Sequence, residues 1–131
     1  GGVNAGSVRV FTRMGSSWAE EAILTAGDGS ADDTLGVSVA VSADGDRAVV
    51  GALWDDTGAG TDAGSAHLFI RTGSTWAEAA TLLSSVPDAE DWLGASVALS
   101  ANGALALIGA ERGDPGGVVN AGTAHVFTLS P

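Results

Sequence analysis

The sequence predicts an all-β protein built from four-stranded antiparallel sheets that are arranged as blades of a β-propeller. Three observations predict this fold. The chain repeats itself with a period of 58 residues, its apolar residues follow the two-residue alternation of β-strands, and glycine-containing turns separate the strands at short intervals. Internal periods of this size are typical of propellers, solenoids and arrays, so the repeat decides the fold class.

The repeat is clearest where short motifs recur at a fixed offset. Ala5-Gly6-Ser7 returns as Ala63-Gly64-Ser65 and again as Ala121-Gly122-Thr123. Residues 5–58 align with residues 63–116 without a gap, and 27 of the 54 positions are identical. Shared composition does not produce such a match, so the chain contains two tandem 58-residue repeats.

Each repeat contains four predicted strands joined by turns. The first alternates larger apolar residues with small ones, and the second has no polar face, which indicates that both its faces are buried. Asp44 and Gly45 mark the hairpin between these two strands, and a long Gly/Asp loop precedes the third. In the complete repeat the strands are predicted at residues 35–42, 48–52, 65–70 and 75–82. Four short antiparallel strands correspond to one propeller blade.

This strand order predicts one propeller segment over residues 1–131, in three parts. Residues 1–33 supply the third and fourth strands of a partial blade, and residues 34–83 form a complete blade. Residues 92–131 supply the first three strands of another partial blade. Because a lone pair of blades would leave apolar faces open, we expect the chain to need neighbours.

Composition excludes several classes of function. Sixteen acidic residues against five arginines give a formal net charge of −11, which disfavours nucleic acid and anionic membranes as partners. The chain has no cysteine, so a disulfide framework and a thiolate metal site are excluded. The sequence also has no apolar run long enough to span a bilayer, so we expect no membrane insertion.

Three motifs in a fixed order give the sequence a family resemblance. They are Leu-Gly, then Gly-Ala, then glycine followed five residues later by phenylalanine, and they stand at residues 35–36 and 93–94, at 51–52 and 109–110, and at 6–11, 64–69 and 122–127. The pattern resembles the FG-GAP repeats of integrin α-subunit propellers and of bacterial surface proteins. Trp-Ala-Glu at 18–20 and 76–78 resembles the bacterial branch. The resemblance implies a non-enzymatic module at the cell surface or outside the cell of a bacterium.

The sequence departs from the family pattern at a hairpin that in integrins can carry a calcium loop. Here that hairpin is Ser-Ala-Asp-Gly-Asp at residues 42–46, and Ser-Ala-Asn-Gly-Ala at 100–104 has no carboxylate. Calcium takes six to eight oxygen ligands, several of them carboxylate. We therefore expect no cofactor. The alternative is a calcium ion in the loop between the second and third strands, with Asp55, Asp56 and Asp62 as its candidate ligands.

The acidic residues are predicted to lie mainly on one face of the propeller. The loops after the second and fourth strands of each blade share a face, and they contain eleven of the sixteen acidic residues. The alternative is that aspartate and glycine simply serve there as turn residues. Trp54 and Trp92 break the repeat, because their counterparts are Arg112 and Thr34. The predicted ligand contacts are Asp33, Trp54, Asp55, Asp56, Asp91 and Trp92.

We find no catalytic constellation in the sequence, so the chain is predicted not to be an enzyme. His67 and His125 occupy equivalent strand positions where the first copy has Arg9, which favours a packing role over a catalytic one. The first hypothesis is an extracellular binding or adhesion module whose acidic loop face meets a protein or a glycan. The second is a purely structural unit that closes a ring with copies of itself, three chains being favoured, or that forms part of a longer propeller. A polysaccharide-active enzyme is the third.

Overall fold

A computed structural model describes residues 2–130, which form nine β-strands in three antiparallel sheets. The first sheet, blade 1, has two strands, β1 (Val8–Met14) and β2 (Ser17–Leu24). Blade 2 has four in sequential order, β3 (Ser38–Val41), β4 (Arg47–Ala52), β5 (Ser65–Thr72) and β6 (Thr75–Leu82). Blade 3 has three, β7 (Leu93–Leu99), β8 (Leu105–Ala110) and β9 (Thr123–Thr128).

The predicted all-β fold class is confirmed. Within residues 2–130 the helical content is a single 3₁₀ turn at Pro115–Gly117. The repeat extends to backbone irregularities, because the pairing of β1 with β2 shifts register between Val10 and Phe11, and that of β5 with β6 shifts between Leu68 and Phe69. A bulge that recurs at the same repeat position shows that the repeat copies a backbone path as well as a residue pattern.

The central strand β4 stands between two apolar cores. Alternate residues of a strand point to opposite faces of its sheet. Accordingly, Val49 packs in a cluster with Leu93 and Ile108 of blade 3, whereas Val50 packs with Leu24 of blade 1. Burial of both faces of β4 explains why this strand has no polar face in the sequence.

Glycine residues allow the inner strands of blades 2 and 3 to meet through their backbones. A Cβ atom on Gly51 would lie 2.0 Å from the carbonyl oxygen of Gly94, which accepts a 2.7 Å hydrogen bond from Ser38 Oγ. Gly94 has a φ of +96°, and a Cβ atom there would lie 2.2 Å from the carbonyl oxygen of Ser65. Both positions therefore exclude every side chain by contact with backbone.

Backbone hydrogen bonds join the blades next to this contact. The N–H groups of Glu90, Trp92 and Leu93 donate to carbonyl oxygens of residues 61–63, over 2.9, 3.3 and 3.0 Å. The same three bonds recur one repeat earlier, from Asp32, Thr34 and Leu35 to residues 3–5. Six of these donor and acceptor residues have positive φ, namely Asn4, Asp32, Thr34, Asp62, Glu90 and Trp92. The junction between blades is thus mainly a main-chain structure.

A side-chain contact also joins blades 1 and 2. Glu21 on β2 accepts hydrogen bonds from Nε and Nη2 of Arg71, both 2.7 Å, and from Nε1 of Trp76 at 2.9 Å. The bonds from Arg71 and then from Trp76 hold the pKa of Glu21 below its ordinary value of 4.5. The ionised carboxylate is therefore the form that holds the two blades together.

We predict that Gly94→Ala destabilises the protein by about 3 kcal/mol or more, because the new methyl group adds a clash with backbone to the cost of positive φ. Gly73→Ala is the matched control: Gly73 has a φ of +66° and no atom within 4 Å of the added Cβ. We expect it to cost about 1 kcal/mol, the φ term alone. Urea unfolding measures both, and equal losses would contradict the close-approach explanation.

We predict that Glu21→Gln lowers the melting temperature at neutral pH and that the difference from wild type vanishes in acid. A carboxyl whose pKa is depressed by folding contributes stability above its unfolded value, and that contribution is lost as the pH falls below about 4.5. Glu20→Gln removes the neighbouring charge, which pairs with Arg9 on the surface, so it should change little. Thermal melts from pH 7 to pH 3 provide the measurement, and a pH-independent difference would refute the ion-pair role.

Candidate functional site

Four loops form one edge of the three blades, here called the upper face, consisting of residues 25–37, 53–64, 83–92 and 111–122. Contacts link each loop to the next. Asp55 of the second loop lies close enough to Asp28 and Asp33 of the first loop for their charges to act on it. The N–H of Glu90 in the third loop donates to the carbonyl oxygen of Thr61 in the second. Arg112 of the fourth loop donates its N–H to the carbonyl oxygen of Asp91. The loops that contain most of the acidic residues therefore adjoin one another.

Three of the predicted ligand contacts are buried and hold loops in shape. Asp33 accepts the N–H of Ser30, and Asp91 Oδ2 accepts the N–H of Asp88 at 2.9 Å at the equivalent position. Asp55 Oδ2 accepts a 2.5 Å hydrogen bond from Ser65 Oγ. Burial, followed by the charges of Asp33 and Asp28, raises the pKa of Asp55, although the Ser65 bond opposes the rise. Asp33 and Asp91 are turn acceptors, whereas Asp55 ties its loop to Ser65 on β5, and the role of all three as ligand contacts stays a prediction.

Asp56 remains exposed at the surface of the upper face. Its Oδ1 accepts the N–H of Asp62 at 2.9 Å, and Asp114 Oδ1 makes the equivalent bond to the N–H of Asn120 at 2.6 Å. Burial and then the charges of Asp56 and Glu90 raise the pKa of Asp62. Asp56 therefore combines a loop-closing bond with an exposed charge that a ligand can reach.

The two tryptophans that break the repeat have different surroundings. Trp54 is exposed, whereas the ring of Trp92 is covered by Arg112, whose Cζ lies 3.7 Å from the ring centroid. Trp92 and Arg112 are the repeat counterparts of Thr34 and Trp54, so the two departures from the repeat form one cation–π pair. Trp92 packs under Arg112 and Trp54 exposes its ring, and the role of each as a ligand contact stays a prediction.

A chain of hydrogen bonds runs inward from the upper face to a buried histidine. Asp55 accepts from Ser65 Oγ, which lies 3.0 Å from His67 Nε2, and His67 Nδ1 lies 2.7 Å from Glu78 Oε1. The three bonds need three hydrogens, of which the serine hydroxyl and a neutral imidazole supply two. The third contact therefore requires one more proton, or another cation in place of that proton.

The Ser65–His67–Glu78 order has the connectivity of a catalytic triad without its accessibility. Ser65 and His67 are both fully buried, and the hydroxyl hydrogen of Ser65 is directed to Asp55. A nucleophilic serine must reach a substrate carbonyl and give its proton to the histidine. The arrangement therefore lacks the access to substrate that acyl transfer requires.

The sequence alone did not identify this hydrogen-bonded group, because the position of His67 in the repeat indicated a strand residue with a packing role. The available signal was a side-chain contact that recurs in the repeat: Arg9 Nη1 lies 2.7 Å from Glu20 Oε2, as His67 Nδ1 lies 2.7 Å from Glu78 Oε1. Within residues 2–130, one group of side chains has ligand atoms close enough together to hold a metal ion: Asp28, His67 and Glu78. The metal ligands suggested by the sequence, Asp55, Asp56 and Asp62, are not part of this group.

The hairpin that corresponds to the integrin calcium loop does not fit the ion. Asp44 Oδ1 accepts bonds from Ser42 Oγ at 2.5 Å and from the N–H of Asp46 at 3.0 Å. In the second copy Asn102 Oδ1 makes the same bonds, at 2.8 Å from Ser100 Oγ and 3.1 Å from the N–H of residue 104. Since a neutral amide replaces the carboxylate without altering the geometry, this position closes a turn.

A protein-family model for the FG-GAP repeat matches residues 18–69 and 76–127. The chain therefore belongs to the FG-GAP repeat family, and the resemblance in the motifs is confirmed. Repeats of this family are typically extracellular and non-enzymatic, often bind calcium, and form β-propeller-like binding or structural modules. Comparison with curated proteins gave no match. Across residues 2–130, no helix has the length and apolarity that crossing a bilayer requires.

We predict that Asp44→Asn leaves the melting temperature within about 1 °C of wild type, with or without added Ca²⁺, because Asn102 already performs the same role as an amide. Asp44→Ala removes the acceptor of the turn and should destabilise by about 1 kcal/mol. A calcium-dependent rise in the melting temperature that Asp44→Asn abolishes would restore the calcium-loop role to this hairpin.

Proposed function

We propose that this chain is a non-catalytic binding module of an extracellular bacterial protein, and that its upper face meets protein or glycan ligands. The observation that supports this best is the convergence of acidic loops on one edge of the blades. Carboxylates of successive loops lie close together: after burial, the charges of Asp33 and Asp28 raise the pKa of Asp55, and those of Asp56 and Glu90 raise the pKa of Asp62. Such a concentration of charge favours ligands that present cationic groups.

Within this face, Trp54 and Asp56 are the residues that we propose as ligand contacts. They are adjacent in the chain, both are exposed, and together they offer an aromatic ring and a carboxylate. A ring stacks on the apolar face of a sugar or under a cationic side chain, and the carboxylate accepts a hydroxyl or ammonium proton.

The test is a screen of the chain against immobilised glycans and basic proteins at low and high salt. We expect ligands whose affinity falls with salt, and we expect Asp56→Asn and Trp54→Ala to weaken them about tenfold or more. Asp44→Asn is the matched control, because it removes one exposed, turn-closing carboxylate from the opposite face. A ligand that is sensitive to Asp44 and insensitive to Asp56 would contradict the assignment of the face.

The second candidate function is structural, and the exposure of repeat-equivalent residues favours it. Val49 in blade 2 is fully buried against blade 3, whereas its counterpart Leu107 in blade 3 is 47 % exposed. Phe69 in blade 2 is 2 % exposed, whereas its counterpart Phe11 in blade 1 is 51 % exposed. The outward faces of blades 1 and 3 thus present the two halves of the contact that is closed inside the chain.

We propose that these faces let copies of the chain join head to tail: the strands of blade 1 in one copy complete blade 3 of the preceding copy, so that each copy adds two blades and three chains close a six-bladed ring. The two faces are complementary by repetition, since equivalent residues already pack together between blades 2 and 3. Because the contact is heterologous, repeating it generates a ring where the rotation closes.

Light scattering tests the assembly. We expect a mass that is a multiple of 12.8 kDa, and we expect Val126→Glu, at an exposed position on the outward face of blade 3, to reduce it to one chain. Val86→Glu, in an exposed loop, is the control and should leave the mass unchanged. A stable mass of 12.8 kDa with cooperative unfolding in the wild type would refute self-assembly.

A further inference from the structure

His67 is a buried imidazole that has carboxylates close to it from two directions. Glu78 comes from the neighbouring strand β6, and Asp28 comes from the loop that joins blade 1 to blade 2. One ligand atom from each of the three residues lies within 4.8 Å of the others, and His67 Nδ1 is 2.7 Å from Glu78 Oε1. Ligand atoms around a tetrahedral Zn²⁺ ion lie about 3.4 Å apart, so a bound ion requires the 2.7 Å contact between His67 and Glu78 to widen and the exposed Asp28 to move inward.

The opposite side of the imidazole has the support that metal-binding histidines require. His67 Nε2 is held by Ser65 Oγ at 3.0 Å, and that hydroxyl is fixed in turn by Asp55. Metal-ligating histidines nearly always use their second nitrogen in this way, because the bond fixes the ring orientation and directs the free lone pair at the ion. This bond leaves Nδ1 as the nitrogen that faces Glu78.

Comparison between repeats shows that this position is occupied by a cation in blade 1. There the guanidinium of Arg9 fills the place opposite Glu20. In blade 2 an imidazole replaces the guanidinium, and a further carboxylate, Asp28, is added. The counterpart of Asp28 at the next junction is Val86, so the set of three occurs at the junction of blades 1 and 2.

We propose that Asp28, His67 and Glu78 form a binding site for one divalent transition-metal ion of the Zn²⁺ class. The imidazole nitrogen and two carboxylates supply three ligands, and solvent at the exposed Asp28 supplies the remaining position. A nitrogen ligand and a small ligand count disfavour Ca²⁺ and Mg²⁺, which take oxygen ligands in larger number. The site lies apart from the integrin-type hairpin and does not depend on a ligand at the upper face.

The experiment is calorimetric titration of the tag-free, metal-free chain with Zn²⁺, accompanied by NMR of the histidine rings. We expect one ion per chain and a shift of the His67 ring nitrogens with no comparable shift at His125. Asp28→Asn should weaken binding at least tenfold, and His67→Arg should abolish it while restoring the arginine–glutamate pair of blade 1. Ca²⁺ at the same concentration should leave the His67 ring unchanged.

The controls make each outcome decisive. His125→Gln alters the repeat-equivalent histidine, which has the same bond from Nε2 to a hydroxyl, and should leave Zn²⁺ affinity unchanged. If His67→Arg fails to fold, Asp28→Asn decides the matter, because Asp28 is exposed and its change leaves the core intact. Absence of binding, equal affinity in Asp28→Asn, or the same response to Ca²⁺ would overturn the proposal.

Discussion

The close approach of main chains between blades is the constraint on which the rest of the structure depends. At Gly51 and Gly94 the backbones of neighbouring inner strands meet at distances that leave no room for a Cβ atom. The three backbone hydrogen bonds beside this contact then fix where the next blade begins. The same constraint explains the family motif. In the Leu-Gly motif, Gly36 and Gly94 have positive φ, whereas Leu35 and Leu93 before them are buried in the two apolar cores.

The fold could be predicted from the sequence because the patterns that specify it are short-range and occur twice along the chain. A two-residue alternation identifies strands, glycine identifies turns, and an ungapped repeat shows that the same unit is built twice. The candidate site was harder to predict, because it depends on which partner each side chain finds. Asp33 and Asp91 were predicted at the surface as loop residues, yet they turn inward to cap backbone N–H groups of their own loops. The local sequence indicates that a residue lies in a loop, but it does not determine whether the side chain points to solvent or to the protein interior.

The histidine cluster shows a second limit of the same kind. Ser65, His67 and Glu78 lie on neighbouring strands of blade 2, so strand pairing predicts their proximity. Asp28 joins them from another blade, and only the packing of blades brings it within reach. A sequence repeat conceals such a group, since the substitution of histidine for arginine suggests that the position is unimportant. In the structure both residues place a side-chain nitrogen 2.7 Å from a glutamate oxygen.

The junction between blades consists largely of main-chain atoms, and this has a consequence for how such proteins change over time. A copied blade brings with it the carbonyl and N–H groups and the glycines that seat it beside its parent, whatever side chains it later acquires. Trp92 illustrates this freedom, because its N–H donates to the carbonyl oxygen of Asp62 as the N–H of its repeat counterpart Thr34 donates to that of Asn4. Gene duplication can therefore lengthen the array while mutation gives each copy its own chemistry.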